Sequence, residues 1–361
     1  MVGARKSQRL AAAVLCAALA GCTTPDAPRA RLVFGATTAP EGDRLLWPSP
    51  PEIPRYAYAG TLTGEENFQG AGEARSGAET FLRWVAGLDE RDPQPVVLQR
   101  PVSGVVDEDG RILVTDASRA GVFVFDERAG RLDVWDRATG VRRFESPVGV
   151  ALGRDREVLV TDAELAAVVR LGADGTPLGL IGASQLKRPT GIARDQASGR
   201  IYVADTMGHD IKVFDDDGRL QRVLGRRGEG PGEFNFPTYL SLAQGELYVT
   251  DSMNARVQVL GADSGEHRRT IGARGLYVGN LVRPKGVAVD SESNLYVVES
   301  YYDNLLIFGP KGEFLMPLGG TGAATGRFFL PAGVWTDDRN RVFVADMFNG
   351  RVVVFSFLGG G

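Results

Sequence analysis

The most regular feature of this chain is a short run of apolar residues that ends in a carboxylate. Ile201-Tyr202-Val203-Ala204-Asp205 is one copy. Such runs are too short for helices and rich in β-branched and aromatic residues, so they predict buried β-strands. Equivalent runs end at each of the residues that we name the recurrent carboxylates: Asp116, Asp162, Asp205, Asp251, Glu299 and Asp346.

A proline-led segment precedes each run and fixes the length of the repeat. It contains Pro, any residue, usually Gly and then an apolar residue, as in Pro189-Thr190-Gly191-Ile192. The glycine stands one residue later in the first copy, and Tyr239 replaces it in the fourth. The intervals between successive anchor prolines are 46, 42, 48, 47 and 47 residues, for Pro101, Pro147, Pro189, Pro237, Pro284 and Pro331.

Further strands complete each repeat. A third apolar segment follows each recurrent carboxylate, and an outer strand such as Leu220 to Leu224 follows that. Four-stranded units of about 40–50 residues stack around an axis as propeller blades, because one such sheet cannot bury both of its faces alone. We therefore predict an all-β fold, a six-bladed β-propeller over residues 55–361.

The two ends of the repeat region predict how the ring closes. The sixth repeat has three strands and ends at Phe357, whereas a strand-like stretch, Arg55 to Gly60, stands alone before the first repeat. Pairing these two segments would complete the sixth sheet and leave no long exposed edge. The alternative is that Arg55 to Gly60 belongs to the segment before the domain.

The repeat resembles that of the NHL family, whose pattern is P-x-G-(I/V)-A-x-D, then (I/L)-Y-V-A-D, then N-x-R-(I/V)-x-V-F. Gly191-Ile192-Ala193-Arg194-Asp195 and Asn349-Gly350-Arg351-Val352-Val353-Val354-Phe355 match it well, and the resemblance covers about residues 95–357. It implies a six-bladed propeller. It does not imply one function, because the family includes binding modules, lyases and lactonase-like relatives.

The first residues predict export and lipidation. Arg5, Lys6 and Arg9 precede the apolar run 10–20, which is too short to span a bilayer and is typical of a signal peptide over residues 1–21. Its end, Leu19-Ala20-Gly21-Cys22, resembles the bacterial lipobox, which implies a lipid on Cys22. Thr23 resembles the sorting signal of outer-membrane lipoproteins. The alternative is an ordinary secretory signal with an accidental cysteine.

Two segments between the signal and the repeats have distinct compositions. Residues 22–54 contain seven prolines, which favour extended conformations, so we expect a tether after Cys22. Residues 61–100 form an insertion that we place on the face of the propeller that carries the long loops. Within it, Phe81, Trp84, Val85 and Leu88 have helical spacing and predict a short amphipathic helix.

Composition restricts the chemistry. The 361 residues are 43% hydrophobic and 24% charged, with a formal net charge of −4, so no basic footprint for nucleic acid is evident. The chain has two cysteines, and cleavage before Cys22 would leave one, which excludes disulfides within the mature chain. The two histidines, His209 and His267, are too few for a zinc site with three histidines.

The recurrent carboxylates have two interpretations. We favour a structural one, in which each carboxylate accepts N–H bonds from the turn that follows its strand. The alternative is a calcium-dependent lactonase or lyase with its site at the central channel, since Ca²⁺ prefers oxygen ligands. Its candidate ligands are Glu299, Asn254, Asp251 and Asn304. The residues after the anchor prolines, which we expect near the channel, are mostly uncharged: Val102, Val148, Thr190, Thr238, Lys285 and Ala332.

A binding surface is the stronger prediction. The second residue after the recurrent carboxylate is large and apolar in four consecutive repeats, at a turn where solvent is expected: Met207, Met253, Tyr301 and Phe348. Tyr302, Phe234 and Phe328 are predicted to lie on the same face. Exposed apolar groups mark interaction surfaces. We expect a non-catalytic, lipid-anchored protein that binds an envelope protein or polysaccharide, contacts the membrane only through its lipid, and binds no nucleic acid. The alternative is that these side chains pack inward.

Overall fold

The computed structural model describes residues 30–35, 45–70 and 95–359. None of the helices in these ranges has the length and apolar character needed to cross a membrane. The segments before the first anchor proline are short: β1 (Arg31–Leu32), β2 (Leu46–Trp47), β3 (Tyr56–Leu62), a 3-10 helix (Glu65–Asn67) and β4 (Phe68–Gln69). The predicted signal peptide, Cys22 and the predicted helix 79–88 lie outside the described residues.

Five of the repeats form four-stranded antiparallel sheets, which we number as blades in chain order. Blade 1 comprises β5 (Pro101–Val106), β6 (Ile112–Asp116), β7 (Gly121–Asp126) and β8 (Arg131–Trp135). Blade 2 comprises β9 (Pro147–Leu152), β10 (Val158–Asp162), β11 (Ala167–Leu171) and β12 (Pro177–Ile181). Blade 3 comprises β13 (Pro189–Arg194), β14 (Ile201–Asp205), β15 (Asp210–Phe214) and β16 (Leu220–Leu224).

Blades 4 and 5 follow the same order of strands. Blade 4 comprises β17 (Pro237–Ala243), β18 (Glu246–Asp251), a 3-10 turn (Ser252–Asn254), β19 (Arg256–Gly261) and β20 (His267–Ile271). Blade 5 comprises β21 (Pro284–Val289), β22 (Leu295–Glu299), β23 (Asn304–Phe308) and β24 (Phe314–Gly319). Every one of these sheets begins at an anchor proline, as predicted.

Blade 6 is completed from the other end of the chain. It comprises β25 (Val334–Thr336), β26 (Arg341–Asp346), a 3-10 turn (Met347–Asn349) and β27 (Arg351–Phe357). The N-terminal strand β3 pairs with β27, with Tyr56 opposite Phe357 and Tyr58 opposite Phe355. The predicted closure is therefore confirmed, and the fold is an all-β, six-bladed propeller.

Part of the predicted tether also belongs to this sheet. Strand β2 pairs with β3 and gives blade 6 a fifth strand. The ring of Trp47 lies 5.4 Å from that of Phe355 in an edge-to-face arrangement. The apolar character of Leu46 and Trp47, unusual for a free linker, thus reflects burial against the last blade.

The hydrophobic core lies between neighbouring blades. All five positions of a second strand such as β14 are buried, because its side chains alternate between the two adjacent sheets. Tyr202 and Ile211 of blade 3 pack with Leu240 and Leu247 of blade 4 in one such cluster. Each sheet therefore depends on both neighbours, which explains why the repeat must close into a ring.

The innermost strands approach one another closely around the axis. A Cβ atom at Gly191 would lie 2.5 Å from the carbonyl oxygen of Thr238 on the next blade. In blade 1 this position is Ser103, and the glycine follows it as Gly104. A Cβ atom at Gly104 would lie 2.4 Å from the ring of Trp335. The displaced glycine of the first repeat therefore makes room for the indole of blade 6.

Candidate functional site

The long loops and the turns after the second strands lie on one face, which we name the long-loop face. The backbone N–H of Met253 donates to the carbonyl oxygen of Asn235 at 3.1 Å, which joins a blade 4 turn to the loop that precedes the blade. The N–H of Phe348 makes the equivalent bond to Phe329 in blade 6, also at 3.1 Å. These bonds place the loops before the blades and the turns after the second strands on the same face.

The recurrent carboxylates hold that face together. Asp162 is completely buried, and it accepts N–H bonds from Glu145 at 2.7 Å and from Leu165 at 3.0 Å. One carboxylate thus ties the loop before its blade to the turn after its strand. Burial raises the pKa of Asp346, while Phe329, Asn349 and Arg351 donate to its charged form and oppose that shift. These contacts match the structural interpretation.

The four candidate calcium ligands make similar contacts. Glu299 accepts N–H bonds from Val282 at 2.7 Å and from Tyr301 at 2.9 Å. Asp251 accepts hydrogen bonds from Asn254 Nδ2 and Arg256 Nε, both at 2.8 Å. The remaining candidate, Asn304, pairs with Glu299 in the β22–β23 ladder.

These contacts do not favour a metal at the four residues, because the carboxylate oxygens already face N–H donors. Among the residues that the structure describes, no group of three His, Cys, Asp or Glu side chains is arranged to hold an ion. Whether the protein binds Ca²⁺ stays a prediction.

The side chain of Tyr239 crosses the central channel. Tyr239, which replaces the usual glycine, donates from its hydroxyl to the carbonyl oxygen of Val102 at 3.3 Å. Blades 4 and 1 lie opposite each other in a ring of six, so the side chain crosses the axis. Burial raises the pKa of the Tyr239 hydroxyl. The side chain therefore occupies part of the channel in which a lactonase or lyase site would lie.

The four side chains that follow the recurrent carboxylates project into solvent. Their exposed fractions are 51% for Met207, 55% for Met253, 57% for Tyr301 and 50% for Phe348. The turn fixes this geometry, since the N–H of Tyr301 donates to Glu299 and leaves the ring outside. The prediction that these side chains are accessible is therefore correct, and the inward-packing alternative is wrong.

Two predicted surface residues are buried instead. Phe234 and Phe328 have no exposed surface. Each inter-blade loop folds back on itself, as in the bridge between Thr321 and Phe328, and turns the ring toward the core. Phe328 lies 6.1 Å from Phe355. The sequence does contain the signal for this burial, because an apolar and buried residue stands three positions before every anchor proline: Leu98, Phe144, Leu186, Phe234, Leu281 and Phe328.

The loop between blades 4 and 5 adds further apolar groups to the long-loop face. The exposed fractions of Leu276, Tyr277 and Val278 are 78%, 84% and 67%. With Tyr302, which is half-buried beside Tyr301 at 4.9 Å, they line a groove of about 220 Å³. The sequence signal for this exposure lies in the loops before blades 4, 5 and 6, each of which has three residues between two glycines. In the loop before blade 5 these three residues are large and apolar, whereas in the other two loops they are mostly small or polar.

We name the resulting surface the apolar patch. It extends over the turns and loops of blades 4, 5 and 6. Arg274 holds the blade 4–5 loop against the adjacent turn by donating to the carbonyl oxygen of Met253 at 2.6 Å, and Phe329 lies 5.6 Å from Phe348. The patch consists of Met253, Leu276, Tyr277, Val278, Tyr301, Phe329 and Phe348.

The two histidines have structural surroundings. Nδ1 of His209 accepts the N–H of Phe236 at 3.2 Å, and the two rings lie 4.4 Å apart. His267 lies on the outer strand β20 and contacts Thr270. Neither lies in a pocket with a nucleophile or a second histidine among the described residues.

Comparison with known proteins agrees with the repeat and the blade count. The family model DUF5128, a 6-bladed beta-propeller, matches residues 194–274. NHL repeat-containing protein 3 of Homo sapiens is 36% identical over 80 residues, which cover 18% of this chain and 22% of that protein. The chain is a six-bladed β-propeller of the NHL type.

Two longer relatives align with larger parts of this NHL-type propeller. Peptidyl-glycine alpha-amidating monooxygenase A of Xenopus laevis is 29% identical over 180 residues, 45% of this chain and 18% of that protein. Protein brain tumor of Drosophila melanogaster is 30% identical over 131 residues, 36% of this chain and 12% of that protein. The chain thus spans less than a fifth of their lengths, so their activities are not carried over.

Solved structures support the same fold for the propeller. A gluconolactonase of Xanthomonas campestris, XC5397, superposes with a TM-score of 0.55 at 15% identity, covering 73% of this chain and 89% of that one. A chain of the nidogen/laminin complex superposes with a TM-score of 0.54 at 18% identity, covering 71% of this chain and 92% of that one. The fold is therefore shared by enzymes and binding proteins.

Proposed function

We propose that this NHL-type propeller is a non-catalytic binding protein of the bacterial cell envelope, attached to the outer membrane by a lipid on Cys22. It engages an envelope protein or polysaccharide through the long-loop face. The observation that carries the proposal is the apolar patch, in which aromatic and methionine side chains at equivalent turns remain about half exposed.

The chemistry of the patch supports a binding role. Soluble proteins rarely leave contiguous apolar side chains in solvent unless they bind something there. Methionine adapts to irregular partners through its flexible thioether, while tyrosine and phenylalanine supply large contact areas. Rigid blades beneath the patch keep it assembled before the partner arrives, which lowers the entropy lost on binding.

The anchor is proposed from the sequence. The lipobox-like Leu19-Ala20-Gly21-Cys22 ends the signal segment, and a proline-rich stretch separates it from the first strands. Strand β2 then fastens this stretch to blade 6. Such a connection would hold the propeller near the membrane surface.

A calcium-dependent lactonase or lyase is less well supported. The solved structures that include a lactonase share the fold at identities below 20%, which does not transfer a reaction. Tyr239 crosses the channel where such a site would lie, and Glu299 and Asp251 face N–H donors. A tight, stoichiometric Ca²⁺ signal in calorimetry of the purified protein would reverse this preference.

Replacing Met253, Tyr301 and Phe348 together by Ser is expected to reduce recovery of the partner at least tenfold when the protein is purified from solubilised envelopes. The loss follows from removing the apolar contacts, since a few aromatic anchors carry most of the energy of an interface. The measurement is quantitative mass spectrometry of the co-purified material.

The matched control replaces three exposed apolar residues of outer strands, Leu178, Leu180 and Val223, by Ser. Exposed substitutions change the free energy of unfolding by about 0.5 kcal/mol or less each, so both variants should stay folded. Equal recovery of the partner with the patch variant and the control variant would contradict the proposed surface.

A further inference from the structure

Three cationic side chains occupy one sector of the long-loop face, around the mouth of the channel. Arg100 and Arg283 stand immediately before the anchor prolines of blades 1 and 5, and Lys285 stands immediately after Pro284. The anchor prolines begin the innermost strands, so residues beside them surround the channel mouth. Blades 1 and 5 are the two neighbours of blade 6, and the charges of Arg100 and Arg283 both act on Lys285.

Arg100, Arg283 and Lys285 lack the acidic partners that some other basic residues on this face possess. Arg188 pairs with Glu164 at 2.7 Å, and Arg351 pairs with Asp346 at 2.7 Å. Within the described ranges, Arg100, Arg283 and Lys285 form no salt bridge and no side-chain hydrogen bond. Arg100 instead lies 5.2 Å over the ring of Phe348, a residue of the apolar patch.

Lys285 is placed unfavourably for a charged group. Its side chain is half-buried, and burial together with the charges of Arg283 and Arg100 lowers its pKa. Asp303 opposes this shift, but its carboxylate accepts the N–H of Leu330 at 2.8 Å and lies beyond salt-bridge distance of the ammonium. A desolvated cation without a counter-ion destabilises the free protein, and an anionic ligand would relieve that cost.

The side chain of Tyr239 crosses the channel below the cations. The Tyr239 hydroxyl meets the Val102 carbonyl across the axis. The mouth is therefore a shallow site with cations at its rim and a phenol at its floor.

We propose that Lys285, Arg283 and Arg100 bind a carboxylate of an acidic peptide segment whose apolar side chains lie on the apolar patch. The inference rests on the proposed function and specifies its partner as a protein. Guanidinium groups match carboxylates in a forked geometry, and the ammonium adds a point charge. The net charge of −4 disfavours a long polyanion, because the rest of the surface would repel it.

The test uses the mature lipidated protein in detergent and two end-blocked peptides, Leu-Glu-Phe-Glu-Leu and Leu-Gln-Phe-Gln-Leu. Calorimetry is expected to give at least about tenfold tighter binding of the glutamate peptide, as hydrogen bonds to paired charges would provide. In the variant Arg100→Gln/Arg283→Gln/Lys285→Gln this preference should disappear. Lys187→Gln/Arg188→Gln/Arg227→Gln removes the same charge from blades 3 and 4 of the same face and should retain it.

The melting temperature of the single variant Lys285→Gln tests the site without a ligand. Because Lys285 lacks a counter-ion, Lys285→Gln is expected to leave the melting temperature unchanged or to raise it. A large fall in melting temperature would show that the ammonium is a structural contact and would overturn the site.

The outcomes separate this inference from the proposed function. Equal affinity for the two peptides, with both lost in the Met253/Tyr301/Phe348→Ser variant, would overturn the carboxylate site and leave the apolar patch intact. If neither peptide binds, while recovery of the native partner still depends on the apolar patch, the carboxylate site is also rejected. Oligothymidylate could instead bind more tightly than the glutamate peptide and lose this binding in the same cation variant. That result would show that the ligand of the cations is a nucleic acid and not an acidic peptide.

Discussion

Phe328→Ala is expected to lower the free energy of unfolding by about 3–5 kcal/mol, the range for removing a buried aromatic ring. Phe328 has no exposed surface and packs on Phe355 in the core of blades 5 and 6. Its neighbour Phe329 is 45% exposed, so Phe329→Ala should cost about 1 kcal/mol or less. Urea denaturation of the mature protein, followed by tryptophan fluorescence, measures both.

The chain itself offers an intermediate substitution. Leucine occupies the equivalent loop position in three other repeats, as Leu98, Leu186 and Leu281. Phe328→Leu should therefore lose less stability than Phe328→Ala, because part of the volume is retained. Equal losses for the alanine variants at 328 and 329 would contradict the assignment of one ring to the core and the other to the surface.

Cys22→Ser is expected to move the protein almost completely from the membrane fraction to the soluble fraction of the cell envelope. The proposed lipid supplies the attachment, at about 0.8 kcal/mol for each buried methylene, and the described residues contain no helix that could replace it. Fractionation and incorporation of labelled palmitate measure the change.

Cys16→Ser is the matched control, because Cys16 lies within the predicted signal segment and would not be part of the mature chain. That variant should keep both the label and the membrane attachment. A Cys22→Ser protein that still sediments with membranes would contradict the lipid anchor.

Much of the architecture could be predicted because the same sequence pattern recurs in every blade. A proline, a glycine and a carboxylate at similar spacing mark each blade, and the missing strand of the last repeat indicated that Tyr56 and Tyr58 pair with the C-terminal strand. The displaced glycine at Gly104 could not be explained in this way. Its cause is Trp335, which is distant in sequence and meets it only in the closed ring.

The site was predictable only in part. The turn geometry at Met207 and Tyr301 repeats locally, so exposure followed from position. Phe234 and Phe328 were misassigned because their glycine-rich loops suggested solvent, whereas backbone bonds fold those loops inward. The convergence of Arg100 with Lys285 depends on the order of blades around the axis, which no local pattern contains.

Site-specific photo-cross-linking in intact host cells tests the central claim most directly. Benzoylphenylalanine is placed in turn at Met253, Tyr301 and Phe348, and at Leu178, an outer-strand residue with 52% exposure. The claim that the long-loop face is the binding surface predicts one common adduct from the three patch positions and none from Leu178. The same adduct from Leu178, or none from the patch, would contradict it.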